Sequence, residues 1–306
     1  MLIATLTLNP SLDKTIFVDR LLDDEVCRAL EVRVDPGGKG INVARALSEL
    51  GSEVLAFGLV AGFTGQFLEK LLLEEKLAFH FVRGAGETRE NLLIHERESD
   101  RQYKINAPGP LFSPEDLEEL AEKLFSPRDF LVFSGSLPEG LSKAIYRDWI
   151  ERARRENIST LLDCDGTALL EGLKARPNVL KLNKREFERM AGKSLEEPQL
   201  LDEARTLIRS GIEMVVVSSG AESVYAINRD EAWRALPPSV EAVCPVGAGD
   251  AMAAGLVFKL AAKASFFEAV RFCVAAGTAG ALTPGNQRID EALVRKLFPL
   301  VEMAKL

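Results

Sequence analysis

The chain of 306 residues predicts an α/β protein whose mainly parallel central sheet is covered by helices on both faces, with a second, small sheet beside it. Three observations carry this. Beyond residue 112, short continuous apolar runs alternate with amphipathic stretches, the pattern of parallel strands buried on both faces. Two earlier segments, about residues 11–36 and 88–108, hold β-like pieces with polar alternate positions, which suits a half-exposed sheet. Small, polar and glycine-rich residues follow strand after strand, as at the carboxyl edge of an open parallel sheet, where ligands bind.

In chain order, Leu2 to Leu8 alternates and is rich in β-formers, so it reads as a strand. Thr15 to Val18 and Glu31 to Val34 are short strand-like pieces. Gly40 to Leu50 repeats apolar residues at helical spacing and stops at Gly51. Val54 to Val60 reads as a buried strand and Gln66 to Glu75 as a helix. Glu90 to His95 and Gln102 to Ile105, joined by the turn-prone E-S-D-R, predict a hairpin. Ser113 should cap a helix through Leu124, with Pro114 first and Asp116 third. Strands F-L-V-F, S-T-L-L-D, N-V-L-K-L and M-V-V-V-S then alternate with helices over Ala144–Asn157, Lys184–Ala191 and Leu200–Ser210. Helices Gly249–Ala264 and Phe266–Ala281 precede a terminal one. Residues 1–10, 37–87 and 109–306 are read as the layered domain, and 11–36 and 88–108 as the small sheet.

Composition narrows the function. A formal charge of -8 argues against non-specific nucleic-acid binding. Four scattered cysteines without C-x-x-C suit reduced thiols rather than a structural zinc site. Two histidines supply a His-based metal site or a Ser-His-Asp triad poorly. The N-terminus lacks the marks of a signal peptide, and no apolar run approaches membrane-spanning length, so a cytoplasmic location is expected.

Several stretches admit both a plain and a chemical reading. In C-P-V-G-A-G-D-A-M-A-A-G, Cys244–Gly255, Asp250 could cap a helix while Gly247 and Gly249 make the turn. Alternatively, bare amides and the helix dipole form an anion site, and the carboxylate takes a proton. P-G-G-K-G lacks P-loop spacing, and no G-x-G-x-x-G occurs. It is either a glycine turn with Lys39 in solvent, or a place where a ligand meets the main chain and Lys39 meets a phosphate, with Asn42 one turn on. Asn183 and Glu186 are three apart: a capping box, or two groups organising a hydrated magnesium ion. Arg89 is either a surface arginine or a phosphate partner. N-P-S-L-D, S-G-S-L-P-E-G, S-S-G and T-P-G-N also follow strands or fall at the same edge.

P-G-G-K-G-I-N-V-A-R-A-L-S-E-L-G and V-G-A-G-D-A-M-A-A-G resemble the two signature regions of the ribokinase-like (phosphofructokinase-B) sugar kinases. N-P-S-L-D, T-R-E-N, N-A-P-G-P, S-G-S-L-P-E-G and N-K-R-E fall between them in the expected order, so the resemblance covers almost the whole chain. It implies a ribokinase-like three-layer α/β/α sandwich with a small β-sheet lid that commonly joins its twin in a homodimer. It also implies ATP and Mg2+. Asp250 would be the general base, and the amides of Gly247, Ala248, Gly249 and Asp250 the anion hole. Asp13, Gly38, Lys39, Asn42, Arg89 and Ser136 would hold a sugar phosphate. Lys181, Asn183, Ser218, Gly220 and Thr278 would lie along the nucleotide, and Glu186 would act on magnesium through water. Some relatives hold a monovalent cation, K+, in the loop before V-G-A-G-D. Many members have Asp or Asn, then Thr or Ser, where this chain has Cys244 and Pro245, and Ser223 replaces a frequent glycine in the nucleotide loop.

Within the family, G-G-K-G-I-N and N-A-P-G-P are most similar to the 1-phosphofructokinases. The expected reaction is therefore phosphorylation of fructose 1-phosphate to fructose 1,6-bisphosphate. The alternatives are tagatose 6-phosphate or fructose 6-phosphate as acceptor and, in another class, a sugar-phosphate sensor without turnover. Lys39 and Arg89 favour a phosphorylated sugar, since two cations in a neutral-sugar pocket would lack partners.

Overall fold

A computed structural model describes residues 2–126, 128–244, 246–284 and 288–306. The chain opens with β1 (Ile3–Thr7), β2 (Ser11–Val18), β3 (Glu31–Gly37), α1 (Lys39–Glu49), β4 (Val54–Ala61), α2 (Gly62–Glu74) and β5 (Phe79–Gly84). It continues through β6 (Arg89–Glu96), β7 (Arg101–Asn106), α3 (Pro114–Leu124), β8 (Phe130–Ser134), α4 (Ile145–Arg155), β9 (Ser159–Asp163), α5 (Gly166–Lys174), β10 (Val179–Asn183) and α6 (Lys184–Ala191). It ends with α7 (Glu197–Arg209), β11 (Met214–Ser218), β12 (Val224–Asn228), β13 (Ala232–Leu236), α8 (Ala248–Ala261), α9 (Phe266–Ala281), α10 (Glu291–Leu297) and β14 (Glu302–Lys305).

The large sheet has the order β14-β13-β12-β11-β10-β9-β8-β1-β4-β5. From β5 to β11 every neighbour is parallel, so these strands present their carboxyl ends along one edge. Apolar residues alternate between the two faces and build two cores. Met214 and Val216 of β11 join the core of α1, α2, α8, α9 and α10, while Val215 and Val217 join that of α3 to α7. Continuous apolar strands are thus the direct consequence of helices on both sides. Ser113 caps α3 with the full capping box the sequence predicts, Pro114 leading.

The small sheet has the order β3-β2-β6-β7. β2 pairs antiparallel with β3 and parallel with β6, and β6 with β7 antiparallel, as the predicted hairpin requires. It hangs from the carboxyl edge, because β2 begins four residues after β1 ends and β3 runs through Gly38 into α1.

Four strands and one helix depart from the sequence reading, β5 and α5 among them, which fall where no element was assigned. β12, β13 and β14 add an antiparallel edge where only helices were expected after β11, and the chain ends in a strand rather than in α10. β14, Glu-Met-Ala-Lys, has no strand preference of its own. Its pairing with β13 supplies the conformation, Trp233 opposite Lys305.

Candidate active site

Five elements bring their ends together at the carboxyl edge. β1 delivers Asn9, β8 Ser136, β9 Asp163, β10 Lys181 and Asn183, and β11 Ser218. α1 and α8 approach from above the edge with Lys39, Asn42 and Asp250.

The start of α8 decides between the two readings of Asp250. Gly247 is the N-cap, held at φ 81°, a left-handed conformation that glycine adopts without strain. Asp250 is therefore the third helical residue, and the N-cap reading of it is wrong. Its Oδ2 accepts a hydrogen bond from Asn42 Nδ2 at 2.8 Å. Only 8% of Asp250 is exposed, and burial pushes its carboxyl up to about 6, with Lys39 opposing and Asp163 adding to the rise. A carboxylate so poised is a fit general base near neutral pH.

Lys39 is not left to solvent, although 36% of its side chain is exposed. Its Nζ donates to Asp163 Oδ1 at 2.8 Å and reaches Glu186 Oε1 at 3.4 Å. Lys181 Nζ donates to the other Asp163 oxygen, Oδ2, at 2.8 Å. Burial opposes charge on Lys39, but Asp163, Glu186 and Asp250 hold its pKa above the ordinary lysine value. Lys39 therefore has partners of its own, and the reasoning that it would lack them without a phosphate does not hold. The glycines around it also serve packing: a Cβ on Gly37 would fall 2.4 Å from the Asp13 carboxylate, with no ligand involved.

A pocket of about 310 Å³ opens beside this centre. Gly38, Lys39, Arg89, Ser136 and Glu186 line it, with Thr7, Asn9 and Cys164 among the rest. Its size falls in the range of small-molecule sites. Arg89 is not a free surface arginine. Its Nη2 donates to Asn9 O at 3.0 Å, its Nε is buried without a hydrogen-bond partner, and burial lowers its pKa while Asp13 opposes. Asp13 stands behind the pocket, its Oδ1 accepting from Ser11 Oγ at 2.7 Å and Asn91 Nδ2 at 2.9 Å.

On the other side, Asn183 and Ser218 are directly paired at the ends of β10 and β11. Gly220 follows in an open loop at φ 57°. Thr278 lies on α9 between Gly277 and Gly280, whose missing side chains admit Ala248 of α8. Its hydroxyl donates to Val274 O at 2.9 Å. Asn183 and Glu186 form the complete capping box of α6, at 2.9 Å in both directions. Pro245 of Cys-Pro and Gly285 and Asn286 of T-P-G-N lie outside the described residues.

Sequence reading missed Asp163, Asn9 and Ser11. D-C-D-G follows strand S-T-L-L just as the other polar stretches follow theirs, so the same rule would have found Asp163. Asn9 required the fold: its Nδ2 donates to Ser136 Oγ at 3.2 Å, 127 residues away.

Bare amides at a helix start, ammonium groups at hand and a carboxylate that can take a proton suit transfer of a phosphoryl group to an alcohol. The fold and the site thus define a phosphotransferase. The chain belongs to the pfkB family of carbohydrate kinases, whose model matches residues 6–292. It is 36% identical over 303 residues to a 1-phosphofructokinase of Xanthomonas campestris, covering 96% of this chain and 93% of that protein. It is 34% identical over 288 residues to a D-tagatose-1-phosphate kinase of Bacillus licheniformis, covering 93% and 94%. Phosphofructokinase-2 of Escherichia coli, solved with substrates and products, superposes with a TM-score of 0.93 at 32% identity over 98% of this chain and 99% of that one. The chain is accordingly an ATP-dependent sugar kinase. Among the described residues, no helix is long and apolar enough to cross a membrane.

Proposed function

We propose that the chain phosphorylates a ketohexose phosphate, fructose 1-phosphate, to fructose 1,6-bisphosphate. The observation that carries a phosphorylated acceptor is Arg89, a half-buried guanidinium lining the pocket, whose hydrogen bonds go to the neutral carbonyls of Asn9 and Ala107, so that its charge suits a bound phosphate. The relatives' names support an acceptor that is already a sugar phosphate, at carbon 1 in the 1-phosphofructokinase and the D-tagatose-1-phosphate kinase and at carbon 6 in the 6-phosphofructokinase isozyme 2 of Escherichia coli, and G-G-K-G-I-N and N-A-P-G-P favour the first.

In the proposed reaction Asp250 accepts the proton of the sugar hydroxyl as the hydroxyl oxygen bonds to the γ-phosphorus of ATP and the bond to the β,γ-bridging oxygen breaks, releasing ADP. Asn42 holds the carboxylate in line. The amides of Gly247, Ala248, Gly249 and Asp250, at the positive end of the α8 dipole, meet the charge of the transferring group. Gly249 leaves room there: a Cβ would come 3.4 Å from Lys181 Nζ. Gly38, Lys39, Ser136 and Arg89 hold the acceptor, with Asp13 behind them. Lys181, Asn183, Ser218, Gly220 and Thr278 follow the nucleotide. Magnesium, bound with ATP, supplies positive charge to its phosphate oxygens. Glu186 fits a role through water, since Oε2 already accepts the Asn183 amide and Oε1 faces Lys39. The monovalent-cation loop includes Pro245, outside the described residues, and we assign no ion there.

The test is coupled ADP release with fructose 1-phosphate, tagatose 1-phosphate, fructose 6-phosphate, tagatose 6-phosphate and free fructose. A lead in kcat/KM for fructose 1-phosphate is expected. A lead for another sugar phosphate overturns the substrate, and turnover of free fructose alone overturns the reading of Arg89.

The small sheet, residues 11–36 and 88–108, is proposed as a lid over the pocket and as a homodimer contact. Val26 is 84% exposed, and Val32 and Ile105 are 54% exposed, an apolar surface that a second copy would cover. A monomer in sedimentation with both substrates present would sink the dimer. The four unpaired cysteines suit a reducing cytoplasm.

A further inference from the structure

We infer that Asp163 is a positioning residue that joins the acceptor pocket to the nucleotide groove, and this rests on the kinase reading above. Asp163 ends β9, and 1% of it is exposed. Each of its oxygens takes one ammonium group at 2.8 Å, Oδ1 from Lys39 and Oδ2 from Lys181. The two lysines come from opposite directions. Lys39 begins α1 and lines the acceptor pocket, whereas Lys181 lies within β10 and stands beside Gly249 at the start of α8.

The chemistry explains why a carboxylate is placed there. Two ammonium groups brought this close repel each other and would turn away. One carboxylate between them offsets that repulsion and fixes the spacing of their Nζ atoms. Both oxygens are used, so Asp163 has little left to offer a substrate. It acts through the lysines. Its remaining charge is also felt at Asp250, whose proton affinity it raises. Asp163 thereby sets the spacing of the two cations and tunes the base, without touching the reacting atoms.

Asp163→Asn tests this. A misplacement of catalytic groups by about 1 Å can cost ~10²-fold, so kcat/KM for the acceptor and for MgATP should each fall by at least about that factor. Lys39→Met added to Asp163→Asn should cost little more, because the lysine has already lost its placement. The acid limb of kcat/KM should move to higher pH, because Lys39, whose charge lowers the proton affinity of Asp250 by more than Asp163 raises it, has lost its placement. A merely structural counterion, lost with both lysines staying in place, would move that limb to lower pH. Wild-type kcat/KM, or a loss that is fully additive with Lys39→Met with the limb unmoved or at lower pH, overturns the inference. If Asp163→Asn does not fold, Asp163→Asn/Lys181→Met removes one cation with the anion, and the acid limb is read on that protein with the same two outcomes. ADP affinity by calorimetry reads the Lys181 side without any sugar. An unexpected acceptor in wild type therefore overturns the proposed substrate alone, while unchanged ADP affinity in Asp163→Asn overturns the joint.

Discussion

The end of β9 and the start of α8 each bury a carboxylate in one site, and their acidities diverge. Asp163 is 1% exposed and Asp250 8%, so both lose hydration. Burial by itself raises both. Asp163 nevertheless falls to about 2, because Lys181 and Lys39 each place an ammonium group on one of its oxygens. Asp250 rises to about 6, because its close partner is the neutral amide of Asn42 and the cations stand further off. Partners, more than depth, decide which carboxylate is a fixed charge and which can trade a proton. A base must do the second, and a scaffold for cations the first.

The largest expected break in this comparison comes from Asp250→Asn. The amide keeps the shape and can still accept from Asn42, yet cannot take a proton. Turnover should fall by ~10²–10⁴-fold while ADP and sugar-phosphate binding persist. Single-turnover kinetics beside calorimetry separates the two, and wild-type turnover would remove Asp250 from its role.

Next is pH. With the free base near about 6, kcat/KM should decline as pH drops through that value. Asn42→Ala removes a hydrogen bond that favours the ionised form, so the acid limb should shift upward, with roughly fivefold loss at pH 6 for a rise of one pKa unit. A limb that stays in place in Asn42→Ala would mean that another group titrates.

The smallest effect is on stability, and its sign differs between the two positions. Asp250 has a folded pKa above its unfolded one. Its contribution is complete below the unfolded value near ~4 and is lost as pH rises through about 6. Asp250→Asn should therefore be more stable than wild type at pH 8, by on the order of 1–3 kcal/mol, and equal to it at pH 4. Asp163 has the opposite shift, with stability present above ~4 and lost as pH falls toward about 2. Asp163→Asn should be the less stable protein at pH 8. Urea denaturation at both pH values measures each difference, and equal signs would refute the comparison.

Much of this molecule is visible in local patterns. The capping boxes of α3 and α6 and the hairpin of β6 and β7 depend on residues a few positions apart, and the sequence displays them. The glycine turn before α8 is equally plain, and of the two readings offered for Asp250 the cap falls to Gly247. The edge strand β14 is hidden, because pairing with β13, not its composition, makes it a strand, whereas Val224, Tyr225 and Ile227 of β12 are β-formers that the sequence displays.

The site divides in the same way. Residue order alone marked Lys39, Asn42, Glu186 and Asp250 as candidates, since their surroundings carry glycines and helix starts that local chemistry makes readable, and the family resemblance added Lys181. It could not say that Lys39 leans on Asp163, 124 residues on, or that Asn42 meets Asp250 across 208 residues. Those partners are decided where β1, β8, β9 and β10 lie side by side and α1 and α8 cross their ends. Protonation follows from them, because charge and hydration at a buried oxygen depend on what is near in space, which only the packed fold determines.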